Sequence, residues 1–164
     1  MTRLLVLAEG DSEELFVREL LAPHLIRFGI YASATVVRTK RLANGTTYAG
    51  GNRWGKVCNS LRPLLAVHEF EAWYFADPGQ VEKFYGQPGI AQWMRQASET
   101  AGGPESINQG KETHPSKRLE GYGIGFRKTA GVAVLKEIGI PAIRAACPHF
   151  ACWLGRLEAL GRDT

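Results

Sequence analysis

Two groups of acidic residues in this chain follow directly on apolar runs. Glu9, with Asp11, Glu13 and Glu14 behind it, follows Leu4-Leu5-Val6-Leu7-Ala8; Glu69 and Glu71 follow Leu64-Leu65-Ala66-Val67-His68. In an open α/β sheet, ligands sit at the carboxyl ends of strands, so Glu9, Glu13, Glu69 and Glu71 stand where such folds do chemistry. Acids gathered at one strand end repel one another unless a cation lies between them, and hard carboxylate oxygens suit Mg²⁺ or Mn²⁺. A plainer reading is open for each group. Gly10 with Asp11 or Ser12 offers a turn and a helix N-cap, Glu14 could complete a capping box, and Glu13 could face water. Glu69 and Glu71 could simply favour a helix N-terminus through the macrodipole.

The basic residues suggest a second chemistry. From Arg38 to Lys56 the chain is rich in glycine, asparagine and threonine and carries Arg38, Lys40, Arg41, Arg53 and Lys56, with Tyr48 and Trp54 among them. That mixture tracks phosphates and stacks on bases, although a solvated connecting loop has the same composition. Lys117 and Arg118 are further candidate phosphate contacts, and Lys128 joins them if Tyr122 to Thr129 folds back. Cys147, His149 and Cys152 lack a paired Cys-x-x-Cys knuckle and a nearby fourth ligand, so buried thiols are the expectation there rather than zinc. The odd count, completed by Cys58, argues against a disulfide framework.

Length and composition bound these readings. With 164 residues the chain can bury one real core, and a single domain over residues 1–164 is expected. A hydrophobic fraction of 45% and a charged fraction of 22% are those of a soluble globular protein. No run approaches a membrane span and no cleavable leader is visible, which gives a cytoplasmic protein with no membrane partner as the expectation. The net charge of +4 permits a polyanionic partner without demanding one.

The elements that must position these residues follow from periodicity. Leu4 to Ala8 is a bounded aliphatic run that predicts a strand buried on both faces. Leu15, Phe16, Leu20, Leu21, Leu25 and Phe28 predict a helix over 14–28, interrupted at Pro23 by a kink or a break and stopped by Gly29. Ile30 to Val37 predicts a second strand, and strand, helix and strand imply a parallel crossover. Residues 38–56 read as a flexible loop, 54–61 as a short helix and 64–67 as a strand. A helix beginning near Glu69 would carry Trp73 and Phe75. Two short helices are expected on either side of Gly86 to Gly89, and 104–119 reads as a polar loop. In the C-terminal portion, 130–164, a helix at 130–138 ends at Gly139, an extended segment covers 142–145, and a helix covers 148–160.

Several segments taken together resemble one known group. Glu9-Gly10-Asp11-Ser12-Glu13-Glu14-Leu15-Phe16-Val17, His68-Glu69-Phe70-Glu71-Ala72 with Phe75-Ala76-Asp77, Pro104-Glu105-Ser106-Ile107-Asn108, Pro115-Ser116-Lys117-Arg118, and Ile143-Arg144-Ala145-Ala146-Cys147-Pro148-His149-Phe150 with Trp153 are similar to domain of unknown function 4276. This Toprim-like group occurs in bacterial abortive-infection operons of the AbiL type.

The resemblance implies a three-layer Toprim/Rossmann-like α/β fold with a mostly parallel central sheet flanked by helices. It also implies Mg²⁺ (or Mn²⁺) held by acids for phosphoryl transfer on nucleic acid, with Glu9 as the first-strand glutamate. An ATPase partner of AAA or ABC type is implied by the operon context. The Asp-x-Asp pair of such domains is missing, since no aspartate lies between Asp11 and Asp77. Leu61 to Leu64 reads as the scar of an internal loss, which would remove one central strand and one ligand and leave Glu69 or Glu71 to substitute.

The expectation is therefore a divalent-metal-dependent nuclease, or nuclease subunit, in anti-phage defence. Glu9 and Glu13 would be catalytic, Glu9, Glu69 and Glu71 would hold metal, and Lys40, Arg41, Arg53, Lys117, Arg118 and Lys128 would hold nucleic acid. The alternative is a Toprim-derived subunit that binds DNA, RNA or a partner without catalysis.

Overall fold

The computed structural model describes residues 1–36, 38–41, 47–49, 70–107, 115–123 and 130–162, with only the backbone described at 38–41, 47–49, 116 and 117. It is a mixed α/β structure dividing into two compact units, one formed by Met1–Leu65 with Leu157–Thr164 and the other by Ala66–Arg156.

In the first unit, β1 (Thr2–Ala8) and β2 (Ile30–Val36) pair in parallel, from Thr2 beside Ile30 to Ala8 beside Val36. The expected strand, helix and strand are present. The helical run between them comprises α1 (Asp11–Phe16), a π-helical turn (Val17–Leu21), α2 (Ala22–Leu25) and a 3₁₀ turn (Ile26–Phe28). Its apolar stripe, including Phe16, Leu20, Leu21 and Leu25, is buried and the run packs on the two strands.

Pro23 explains the irregularity. Proline has no N–H to return to the preceding turn, and the backbone widens just before it, with Ala22 N–H bonding to Val17 O five residues back. The interruption is thus a π turn, and the junction residues Phe16, Leu21, Ala22 and Leu25 all keep right-handed helical dihedrals. Gly29 ends the run at φ 74°, a left-handed conformation that glycine adopts without Cβ strain.

The expectation that β1 is buried on both faces is corrected. Exposure alternates along both strands, with Leu5 61% and Tyr31 48% exposed. Parallel register sets Arg3 beside Tyr31 and Leu5 beside Ser33, so these residues share the open face, and Leu4, Val6 and Ile30 lie on the other. The expected loop at 38–56 is also corrected in part. β3 (Arg38–Arg41) and β4 (Thr47–Ala49) form an antiparallel pair with a register irregularity between Arg38 and Lys40. Thr47, which is β-branched, and Tyr48, which is aromatic, favour a strand despite the glycine-rich sequence around them.

The unit closes on residues from the far end of the sequence. Thr2 Oγ1 donates to Leu160 O at 3.2 Å, and His24 Nε2 lies 2.8 Å from Glu158 Oε1 with both side chains nearly buried. A Cβ on Gly161 would collide with the Phe28 carbonyl, so glycine is required for that backbone approach.

In the second unit, a 3₁₀ helix (Phe70–Ala76) packs against α3 (Pro78–Tyr85), α4 (Ile90–Ala101), a 3₁₀ turn (Pro104–Ser106), α5 (Pro115–Gly121) and α6 (Gly131–Ala146). α7 (Pro148–Ala159) completes the fold. Every residue from Phe70 to Phe75 is buried, which makes this apolar segment the centre of the unit. The two short helices flanking Gly86 to Gly89 and the closing helix match expectation.

The extended segment expected at 142–145 is corrected, because those residues are helical. Gly139 (φ 78°, ψ 152°) breaks α6 without ending it, and helix resumes with Pro141 in its first turn, where a missing N–H costs nothing. Ile140, Ile143 and Cys147 are buried at three- and four-residue spacing, the periodicity of a helix and not of a strand. Among the described residues, no helix is long and apolar enough to cross a membrane.

Candidate functional site

At the end of β1 the backbone turns at Glu9 and Gly10. Gly10 is the N-cap of α1 without a side-chain cap, and Glu14 N–H bonds to Gly10 O. Neither Asp11 nor Ser12 is the cap, which corrects the plainer reading of this motif. Asp11, Glu13 and Glu14 instead occupy the first turn, where the helix macrodipole favours negative charge. Glu9 is exposed at the carboxyl end of the parallel pair. Glu13 folds back over the turn, so close that a Cβ on Gly10 would lie 3.0 Å from Glu13 Oε2. Glycine at 10 leaves that carboxylate room beside the strand end.

Of the second group, Glu71 lies among the described residues and is 8% exposed within the aromatic 3₁₀ segment. A buried carboxylate is expensive unless paired or protonated, and Glu71 has interactions in the fold. Around it Phe70 meets Trp73 at 5.5 Å and Tyr74 at 6.2 Å between ring centroids, and Trp73 meets Phe150 edge-on at 4.8 Å. Tyr74 reaches the start of α6, where a Cβ on Gly131 would overlap its hydroxyl.

Glu105 ties two distant motifs together. Its Oε2 accepts from His149 N–H at 2.8 Å and its Oε1 from Phe150 N–H at 3.0 Å. α7 begins at Pro148, which has no N–H, so one carboxylate meets the next two donors of the helix, and Ala151 N–H is met by Cys147 O. Pro104-Glu105-Ser106 and Cys147-Pro148-His149-Phe150 are thereby two halves of one clamp. Cys147 lies beside it, fully buried; burial pushes its thiol up to about 12, with the Glu105 charge acting in the same direction. Cys152 is exposed, which corrects the expectation of a buried thiol there, and Cys58 lies outside the described residues.

Other acids in this unit serve the same purpose as Glu105. Asp77 caps α3, accepting from Gln80 N–H at 3.1 Å, with Pro78 in the first turn. Glu82 Oε2 accepts from Gly89 N–H at 2.9 Å and Ala91 N–H at 3.0 Å at the start of α4. Three helices of the unit thus begin on carboxylates.

The candidate nucleic-acid contacts are distributed between the units. Lys40 and Arg41 lie on β3 in the first, and Lys117 and Arg118 lie on α5 in the second. Glu9 and Glu13 belong to the first unit and Glu71 to the second. Arg53, Glu69 and Lys128 lie outside the described residues. Among the described residues, no group of three His, Cys, Asp or Glu side chains is placed to hold a metal ion.

Sequence reasoning missed the Glu105 clamp and a cleft between α4 and α5. That cleft, about 230 Å³, is lined by Trp93, Gln96, Ala97, Thr100 and Arg118. The clamp joins positions 44 and 45 residues apart, beyond the reach of local pattern. Only the helical spacing of Trp93, Gln96, Ala97 and Thr100 could have marked the cleft.

A family model described as Domain of unknown function (DUF4276) matches residues 49–158, about two thirds of the chain. No curated protein and no solved structure matches.

Proposed function

The chain belongs to the family described as Domain of unknown function (DUF4276), and on that footing we propose that it is a Toprim-like, divalent-metal-dependent nuclease or nuclease subunit in anti-phage defence. The observation that carries this reading is Glu9, an exposed carboxylate at the carboxyl end of a parallel β-pair, with Glu13 folded over the adjoining turn. Glu9 is suited to pass a proton to or from a water or leaving oxygen, and Glu13 adds a second hard oxygen donor. A bound Mg²⁺ or Mn²⁺ would supply polarisation of the phosphate and stabilisation of the leaving oxygen. Within the first unit Glu9, with Glu13 beside it, would offer oxygens to it, and a three-layer arrangement around the parallel pair belongs to the same reading. Lys40, Arg41, Arg53, Lys117, Arg118 and Lys128 would neutralise phosphates. An ATPase partner of AAA or ABC type fits the same reading.

A second reading, a nucleic-acid- or partner-binding subunit without catalysis, is favoured by a separate observation. Asp77, Glu82, Glu105 and Glu158 are each engaged with a backbone N–H or with His24. The deciding experiment is plasmid and single-strand cleavage with Mg²⁺ or Mn²⁺. Cleavage abolished by chelator and by Glu9→Ala supports the nuclease. Nucleic-acid binding without cleavage, unchanged by both treatments, establishes the second reading.

A further inference from the structure

Building on the reading of Glu9 as a site that meets nucleic acid, we propose that the open face of the β1–β2 pair is a docking platform for a single strand that leads to Glu9. The helical run between the two strands packs on one face of the pair. The other face carries Arg3, Leu5 and Leu7 from β1 beside Tyr31, Ser33 and Thr35 from β2, and all but the half-buried Leu7 are exposed. Glu9 is the next position in the same alternation, just past the strand, and is exposed as well. At about 3.3 Å per residue the stretch from Arg3 to Glu9 spans roughly 20 Å, the length of several nucleotides rather than one.

The chemistry of the face selects its occupant. Tyr31, 48% exposed, stands beside Arg3, and neither side chain has a hydrogen bond, ion pair or ring partner among the described residues. A base can stack on such a ring only when its own faces are free; in a duplex the bases are stacked on one another, so the ring favours a single strand. The neighbouring guanidinium matches the phosphate that adjoins a stacked base. Leu5, 61% exposed, extends the apolar contact, and Ser33 and Thr35 bring hydroxyls able to meet sugar or base edges. Arg3 is the one charged residue on this face short of Glu9, and among the residues of this unit outside the described ones Asp163 alone is acidic. Charge complementarity therefore favours a polyanion at the Arg3 end. A layer of helices laid here would bury Arg3 without a counter-charge, which is costly, so a third layer would cover strands other than this pair.

Fluorescence anisotropy of a fluorescein-labelled deoxythymidine dodecamer with the full chain, in EDTA so that no strand is cut, reads the platform directly. Saturable binding is expected, about tenfold or more tighter than that of a duplex of the same length. Tyr31→Ala should weaken it about tenfold or more, and Tyr31→Phe, which keeps the ring, should restore most of the affinity. Arg3→Gln should lower the slope of log affinity against log salt by about 0.7, the signature of one phosphate contact on a single strand. At one exposed position Ser33→Glu should weaken binding and Ser33→Lys strengthen it. Circular dichroism of each variant checks that the fold persists. No binding, a duplex bound as tightly, or an affinity unmoved by Tyr31→Ala or by Ser33→Glu would each overturn the proposal. So would a dimer in sedimentation that Ser33→Glu splits, which would give the face to a second copy of the chain. The two readings fail separately: binding without cleavage removes the nuclease and keeps the platform, whereas Mg²⁺-dependent cleavage of single strands with KM unchanged in Tyr31→Ala and Ser33→Glu removes the platform and keeps the nuclease.

Discussion

Replacing Glu105 tests whether the second unit is held together at the start of α7. The carboxylate meets two backbone donors, one exposed at His149 and one part-buried at Phe150, a residue 3% exposed. Water can replace the bond at His149, so its loss costs about 1 kcal/mol, whereas the donor at Phe150 is left without solvent and costs about 1–2 kcal/mol more. Glu105→Ala should therefore destabilise by about 2–3 kcal/mol, and Glu105→Gln, which keeps an acceptor and loses the charge, by about 1 kcal/mol. With a urea dependence of about 2 kcal/mol per M, these losses shift the midpoint by roughly 1–1.5 M and 0.5 M. Trp73 and Trp153 flank Phe150 at 4.8 and 5.8 Å and provide the fluorescence signal at the clamp itself. A Glu105→Ala midpoint indistinguishable from wild type would refute the clamp, as would Gln and Ala variants of equal stability.

Three further predictions rest on close contacts and burial. Gly131→Ala drives a methyl into the Tyr74 hydroxyl and should cost about 1–3 kcal/mol, with much of the loss recovered in a Tyr74→Phe background; thermal melts of the four combinations would show whether the effects couple. Cys147 holds its proton to about 12 in the fold, whereas an unburied thiol releases it near 9.0. Its contribution to stability is complete below pH 9.0 and is lost as pH rises from there towards 12, because the unfolded chain then binds fewer protons than the native one. The difference in denaturation midpoint between wild type and Cys147→Ala should narrow across that window. At pH 8 a thiol reagent should label exposed Cys152 quickly and Cys147 only on unfolding.

How much was legible in the sequence depended on whether the deciding interaction was local. β1, β2, the Gly29 stop and the pair of short helices around Gly86 to Gly89 follow from periodicity and glycine placement within a few residues. The 142–145 segment misled because Gly139 and Pro141 look like terminators, while the burial of Ile143 and Cys147 shows the resumed helical period. β1 was misjudged because five consecutive apolar residues cannot reveal that one face stays open. At the sites, the acids were visible but their occupations were not. Asp77 beside Pro78 is a recognisable cap, yet Glu82 reaches Gly89 and Ala91, and Glu105 reaches His149 and Phe150, across distances fixed only by tertiary structure.

The contacts of Thr2 with Leu160, His24 with Glu158 and Gly161 with Phe28 give the first unit an order of events as well as a shape. During translation β1 and its helical run leave the ribosome well before the residues that complete them, because Ala66–Arg156 must be made in between. At about 5–20 residues per second that interval lasts roughly 5–20 s, during which the second unit can fold while the first waits for its final turn.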